Sequence, residues 1–152
     1  MNALTYLAEH HVLTLGTQGE GGPWAAAVFY VNDGYTLFFL SSPKSRHARN
    51  LASDPRVAGT VHEDYAEWTE IRGVQLEGRV RELGGAEAAR ARALYGAKFA
   101  VVGAQAPSPV AAALAKVSWF ELVPERLHFV DNSVAFGHRD EIALPPRSTP
   151  SA

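Results

Sequence analysis

The chain contains no cysteine. That excludes disulfides, thiolate nucleophiles, iron–sulfur ligation and cysteine-based zinc sites, and it is compatible with any cellular compartment. No stretch approaches the roughly 20 apolar residues of a membrane-spanning helix. The start, Met1-Asn2-Ala3-Leu4-Thr5, lacks the basic segment and apolar run of a secretory leader. A cytoplasmic protein with no membrane partner is therefore expected. Positive charge is not in excess: 14 Lys and Arg face 16 Asp and Glu, for a net charge of −2. Nucleic acid is not an expected partner, because phosphate neutralisation supplies most non-specific affinity. There is no Gly-x-Ser-x-Gly elbow of a serine hydrolase and no Gly-x-x-x-x-Gly-Lys-Ser/Thr loop for a nucleoside triphosphate. His10, His11, His47, His62, His128 and His138 lack the His-Glu-x-x-His pairing that sets two ligands on one helix face, so no metal site is expected.

What is present is 152 residues, of which 47% are hydrophobic. That is one domain, long enough to bury about two-thirds of its unfolded surface. A single domain over residues 1–142 is expected. The Pro/Ser-rich stretch 143–152 reads as an extended or disordered tail.

Residues 3–10 read as a short helix and Val12 to Thr17 as a strand. Residues 18–23 read as a turn rich in glycine. Trp24 to Val31 is an apolar strand that returns through the hairpin Asn32-Asp33-Gly34 into Tyr35 to Leu40. A helix follows to about Ser53, capped by Ser42 or by Ser45, with Ala48, Leu51 and Ala52 on its inner face. Arg56 to His62 and Ile71 to Glu82 are strands, and 85–97 is a helix. A short helix starts at Pro107-Ser108-Pro109, with Ser108 as its cap. Val117 to Val123 and Arg126 to Asp131 are strands on either side of Pro124, and Val134 to Ile142 is the last strand. Strands in hairpin pairs, rather than alternating with helices, imply a mainly β fold with short helices, an antiparallel barrel. Strands apolar on both faces fit a barrel whose outside is covered by helices or by a second subunit.

The segment Ser41-Ser42-Pro43-Lys44-Ser45-Arg46-His47-Ala48-Arg49-Asn50 sets hydroxyls and cations where a strand turns into a helix. A helix N-terminus carries unpaired N–H groups and partial positive charge, so this combination suits a phosphate. The bland alternative is a capped surface helix with solvated basic side chains. Ala25, Ala26 and Ala27 before Val28 would let a planar ring lie against the backbone, or would only relieve crowding in a barrel. Gln75 is a polar residue in a strand-like run, able to meet a heterocycle edge or merely exposed. Phe136-Gly137-His138-Arg139 places an aromatic, a histidine and a cation near the C-terminus, in a functional position or on an ordinary edge strand.

The order of these parts resembles the pyridoxamine 5'-phosphate oxidase-like FMN-binding split barrels, and within them a small bacterial branch. The resemblance runs from about Leu13 to Glu141. It rests on Gly22-Pro23-Trp24, the Asp33-Gly34 hairpin and Phe38-Phe39-Leu40-Ser41-Ser42. After these come Lys44 to Leu51, Asp54-Pro55-Arg56-Val57, the strand ending at Gly78, and Phe129 through Arg139. It implies a split β-barrel and a homodimer with FMN at the subunit interface. The phosphate would be held by Ser45, Arg46 and His47, with Lys44 beside them, and Ser41 and Ser42 would belong to the same cofactor-binding segment. The ring would lie along Ala26, Ala27 and Val28, with its pyrimidine edge at Gln75. Trp119, His138 and Arg139 would reach the partner's site. An oxidoreductase accepting electrons from NAD(P)H is the implied activity, with a flavin or haem binder, or a cofactor-free dimer, as alternatives. The authentic oxidase has basic residues where this chain has Ala26 and Val31, and a lysine in place of His47. It shares the triplet Arg126-Leu127-His128, but has charges in place of Phe129 and Val130. These departures point away from vitamin B6 phosphate as the substrate and leave flavin binding in place.

Overall fold

The structure is a computed structural model that describes residues 1–103 and 107–146. Residues 147–152, most of the expected tail, lie outside the described part. Within it, Leu144 packs partly buried against the core.

Among the described residues seven strands form one antiparallel sheet: β1 (Val12–Gly19), β2 (Gly22–Asp33), β3 (Thr36–Ser41), β4 (Arg56–His62), β5 (Arg72–Leu83), β6 (Ser118–Asp131) and β7 (Arg139–Glu141). Their order is β3-β2-β1-β4-β5-β6-β7, and β3 also pairs with β6. That extra pairing closes six strands into a barrel and leaves β7 as an edge. Closure removes the sheet edges that would otherwise invite aggregation. Among the described residues four α-helices decorate it: α1 (Ala3–Glu9), α2 (Arg46–Ser53), α3 (Gly85–Lys98) and α4 (Ser108–Leu114).

Period-2 alternation decides which side chains fill the barrel. Leu13, Leu15, Val28, Tyr30, Leu37, Phe39, Val61, Val74, Leu122 and Leu127 point inward and are buried, joined by Tyr6 and Leu7 of α1. Phe39 and Phe120 stack at 5.2 Å inside. A smaller core of Val31, Phe38, Ala91, Tyr95, Leu114 and Trp119 lies outside the barrel wall, between β2, β3, β6 and the helices α3 and α4.

Several expectations need correction. The glycine-rich stretch 18–23 is not a loop: β1 and β2 stay paired to Gly19 and Gly22, leaving only Glu20-Gly21 in the turn. The strands expected on either side of Pro124 are one strand. Pro124 pairs with Gly78 at a register shift, so its missing N–H falls where the ladder is already interrupted. A Cβ on Gly78 would stand 2.3 Å from the Val123 carbonyl oxygen, so the two backbones approach there as no other residue allows. The last strand is only Arg139–Glu141, because residues 132–137 turn: the Gly137 N–H donates to the Asn132 side chain at 3.1 Å. Pro107, not Ser108, occupies the cap position of α4. On α2 the third inner residue is Asn50, not Ala52; its amide donates to the Thr17 hydroxyl at 3.1 Å and ties the helix to β1. The Asp33-Gly34 hairpin holds, with Gly34 at φ +58°, a conformation that favours glycine.

Candidate functional site

The β3–α2 turn is built by Ser45, which settles the choice of cap. Its hydroxyl donates to the Ser42 carbonyl at 2.8 Å and accepts from the Ala48 N–H at 3.3 Å. Ser41, the last residue of β3, is hydrogen-bonded through its hydroxyl to His47 Nε2, and Ser45 Oγ lies 3.3 Å from the same nitrogen. Burial pushes the His47 imidazole below its ordinary pKa, which favours the neutral ring. Arg46 reaches back to the β1–β2 turn, donating to the Gly21 carbonyl at 3.0 Å, and its guanidinium stacks 4.3 Å over the Trp24 ring. Lys44 and Arg49 are exposed. Among the described residues none of Lys44, Arg46 or Arg49 has a carboxylate within ion-pair distance, whereas most arginines of the barrel do. The first amides of α2 have no intrahelical acceptor. The corner is thus a positively charged, hydroxyl-rich patch.

Trp24 links this corner to a groove of about 590 Å³. The groove is lined by Gly16, Thr17, Ala25, Ala58, Asp54 and Arg56, among others. Gly16 lies opposite Ala25 on one side and Ala58 on the other, and Thr14 opposite Ala27 and Thr60. These small side chains make the outer face of β2, β1 and β4 flat. Further along that face Gln75 is exposed, opposite Thr60 and His128. Arg139 of β7 donates to the Gln75 side-chain carbonyl at 3.4 Å.

The structure therefore brings Ser41, Ser42, Lys44, Ser45, Arg46 and His47 together at one corner, and Gln75 with Arg139 elsewhere on the sheet. Ala27 faces outward, while Ala26 and Val28 face the barrel interior, so only their backbones are available to an external ring. His138 is turned to Asp140, 2.9 Å away. Trp119 is 7% exposed and packs edge-on against Tyr95 in the smaller core, away from the Gln75 face. Gly16, Ala58 and Thr60, which the sequence did not mark as site residues, build the groove and flat face together with Trp24 and Ala25, and His128, of the triplet shared with the oxidase, stands beside Gln75. Cross-strand register places them, and nothing local in the sequence encodes that register.

A closed antiparallel barrel with a cationic strand-to-helix corner beside a flat open face defines the split-barrel class. Residues 2–131 match the family model described as pyridoxamine 5'-phosphate oxidase. The chain is 37% identical over 136 residues to UPF0306 protein YhbP of Escherichia coli (strain SMS-3-5 / SECEC), covering 88% of this chain and 86% of that one. It therefore belongs to the pyridoxamine 5'-phosphate oxidase family, in its UPF0306 group. Among solved structures it is similar to a heme binding protein from Mycobacterium smegmatis, with 29% identity and a TM-score of 0.71. That match covers 91% of this chain, which spans only 55% of the other. It is also similar to the conserved hypothetical protein Rv2991 from Mycobacterium tuberculosis, at 23% identity and a TM-score of 0.74 over 100% of this chain and 94% of that one. HutZ, the heme storage protein from Vibrio cholerae, shares the fold at 21% identity and a TM-score of 0.69, over 82% of this chain and 89% of that one. Among the described residues no helix is long and apolar enough to cross a membrane.

Proposed function

We propose that this protein is an FMN-binding oxidoreductase that works as a homodimer, with a flavin in each cleft between the copies and a nicotinamide nucleotide as electron donor. One observation carries the reading: Lys44, Arg46 and Arg49 gather, without carboxylate partners among the described residues, beside the hydroxyls and first amides of α2, at the end of a groove floored by small residues. The corner fits a phosphate ester, since charge-assisted hydrogen bonds are the strong ones and a helix N-terminus favours an anion. The flat strip of Gly16, Ala25 and Ala58 fits a planar ring. Bound FMN supplies the redox chemistry, and the chain supplies position and electrostatics. Lys44, Ser45 and Arg46 bind the phosphate; the Ala25–Ala27 backbone supports the ring; Gln75 and Arg139 offer polar groups to its edge. The second copy covers the flat face and excludes water. The absorption spectrum and mass spectrum of whatever co-purifies with the full chain test this. Flavin bands with the mass of FMN support it, and NAD(P)H turnover separates an enzyme from a carrier.

A second reading is haem binding, favoured by the 29% identical heme binding protein from Mycobacterium smegmatis. His62 and His128 stand on the same open face and would be the residues to hold the iron; His62 approaches the Glu63 carbonyl through Nδ1 at 3.1 Å, which leaves Nε2 open. A Soret band lost on His62→Ala or His128→Ala selects haem. A colourless protein that takes up neither cofactor leaves the barrel as an interaction dimer.

A further inference from the structure

A second cavity, of about 440 Å³, lies on the outer side of β2 and β3 beneath α3, the 3₁₀ turn Ala100–Val102 and α4. It shares no lining residue with the groove beside Trp24. Phe29, Leu40, Phe99, Val102 and Leu114 form much of its wall, and among the described residues the one polar side chain in that wall is Tyr95.

Tyr95 is 4% exposed, its ring fixed by Trp119 at 5.4 Å and Phe99 at 4.6 Å. Among the described residues its hydroxyl has no hydrogen-bond partner, and burial alone pushes its pKa up to about 12, so it stays a neutral donor. Among those residues no fully enclosed polar side-chain atom lacks a partner. The Tyr95 oxygen therefore keeps open surface, and Tyr95 lines this cavity. A hydroxyl donor with no protein partner is satisfied when a ligand accepts from it.

Charge decides the ligand's class. Among the described residues the wall carries no ionisable group other than Tyr95. Lys98, just before Phe99, is committed elsewhere: its ammonium donates to the His10 carbonyl and lies 4.4 Å over the Tyr30 ring. An anion in the cavity would have no counter-charge and would lose its hydration. The volume falls within the roughly 300–1,000 Å³ of small-molecule sites. We infer that this cavity is a binding site for a neutral, largely apolar molecule bearing one hydrogen-bond acceptor, which the Tyr95 hydroxyl recognises.

The test uses the full chain and three naphthalenes: 2-acetylnaphthalene, with a carbonyl acceptor; 2-ethylnaphthalene, of the same shape without one; and anionic 2-naphthoate. Binding is titrated by methyl NMR, reading Leu40, Val102, Val110 and Leu114. The expected result is that both neutral compounds shift these methyls, the ketone binding more tightly, while the naphthoate does not. Tyr95→Phe, which keeps the ring packing, weakens the ketone about fivefold, the worth of one neutral hydrogen bond. It leaves 2-ethylnaphthalene unchanged. Val110→Trp, which fills the space, abolishes both. Absence of shifts at these methyls in the wild-type protein overturns the site. An equal effect of Tyr95→Phe on both neutral compounds, or none on either, overturns the role of the hydroxyl.

Discussion

Lys44, Arg46 and Arg49 at the β3–α2 corner differ from most arginines of the strands in one respect. Arg56 has Asp54 at 2.9 Å, Arg79 has Glu125 at 3.4 Å, and Arg126 has Glu141 at 3.3 Å and Glu77 at 3.8 Å. The corner cations have no such partner among the described residues. Their contacts are a backbone carbonyl and an indole ring, both to Arg46. The paired arginines lace exposed strand faces, where each pair contributes about 0–1 kcal/mol. The unpaired ones keep their charge available to an external anion. A cation count taken from sequence cannot make this distinction, because it depends on which carboxylates the register brings opposite.

The comparison breaks most visibly in ligand binding. Lys44→Ala combined with Arg46→Ala should cost several kcal/mol of FMN affinity, since hydrogen bonds to charged groups contribute about 1.5–3 kcal/mol each. Flavin fluorescence titration of the double variant reads this, and an unchanged dissociation constant removes the corner from the site. Next in size is the anchor beneath it. Asn50→Leu leaves the buried Thr17 hydroxyl unpaired and should lower unfolding stability by about 1–3 kcal/mol in urea, with a looser flavin site.

Smaller still is a pH effect. Burial lowers the His47 pKa in the folded chain. In the unfolded chain it returns to about 6.5, so on acidification the unfolded state takes up the proton first. In the cofactor-free protein, stability linked to His47 is present above pH 6.5 and declines as pH falls from 6.5 toward the lowered folded value. His47→Gln should flatten that part of the stability–pH curve; a curve of unchanged shape separates His47 from it. The smallest effect belongs to the paired set. Glu77→Gln with Glu141→Gln, which strips Arg126 of its carboxylates, should change stability by less than about 1 kcal/mol. A larger loss in urea melts would make these pairs structural supports and blur the contrast with the corner.

Much of this was readable from the chain itself. The strands β1 to β5, the Asp33-Gly34 hairpin and the cluster from Ser41 to Arg49 follow from alternation, turn chemistry and capping, all of them local. The join of the last two long strands across Pro124 was not, because a bulge opposite Gly78 is a property of two strands together. The same limit hid the groove. Ala25 and Ala27 were visible as small residues, but that they face Gly16 and Thr14 while Ala26 faces inward depends on pairing register. Trp119, apolar and near the C-terminus, was expected at the cofactor, yet the pattern does not tell an interface indole from one packed under α3.

The most direct measurement compares FMN with riboflavin, which carries the same ring without the phosphate. If the β3–α2 corner holds the anion, the wild-type protein binds FMN about 100-fold or more tightly than riboflavin, as about 3 kcal/mol of charge-assisted bonding requires, and the Lys44→Ala/Arg46→Ala variant loses that preference. Equal affinity for the two flavins in the wild-type protein would contradict the account.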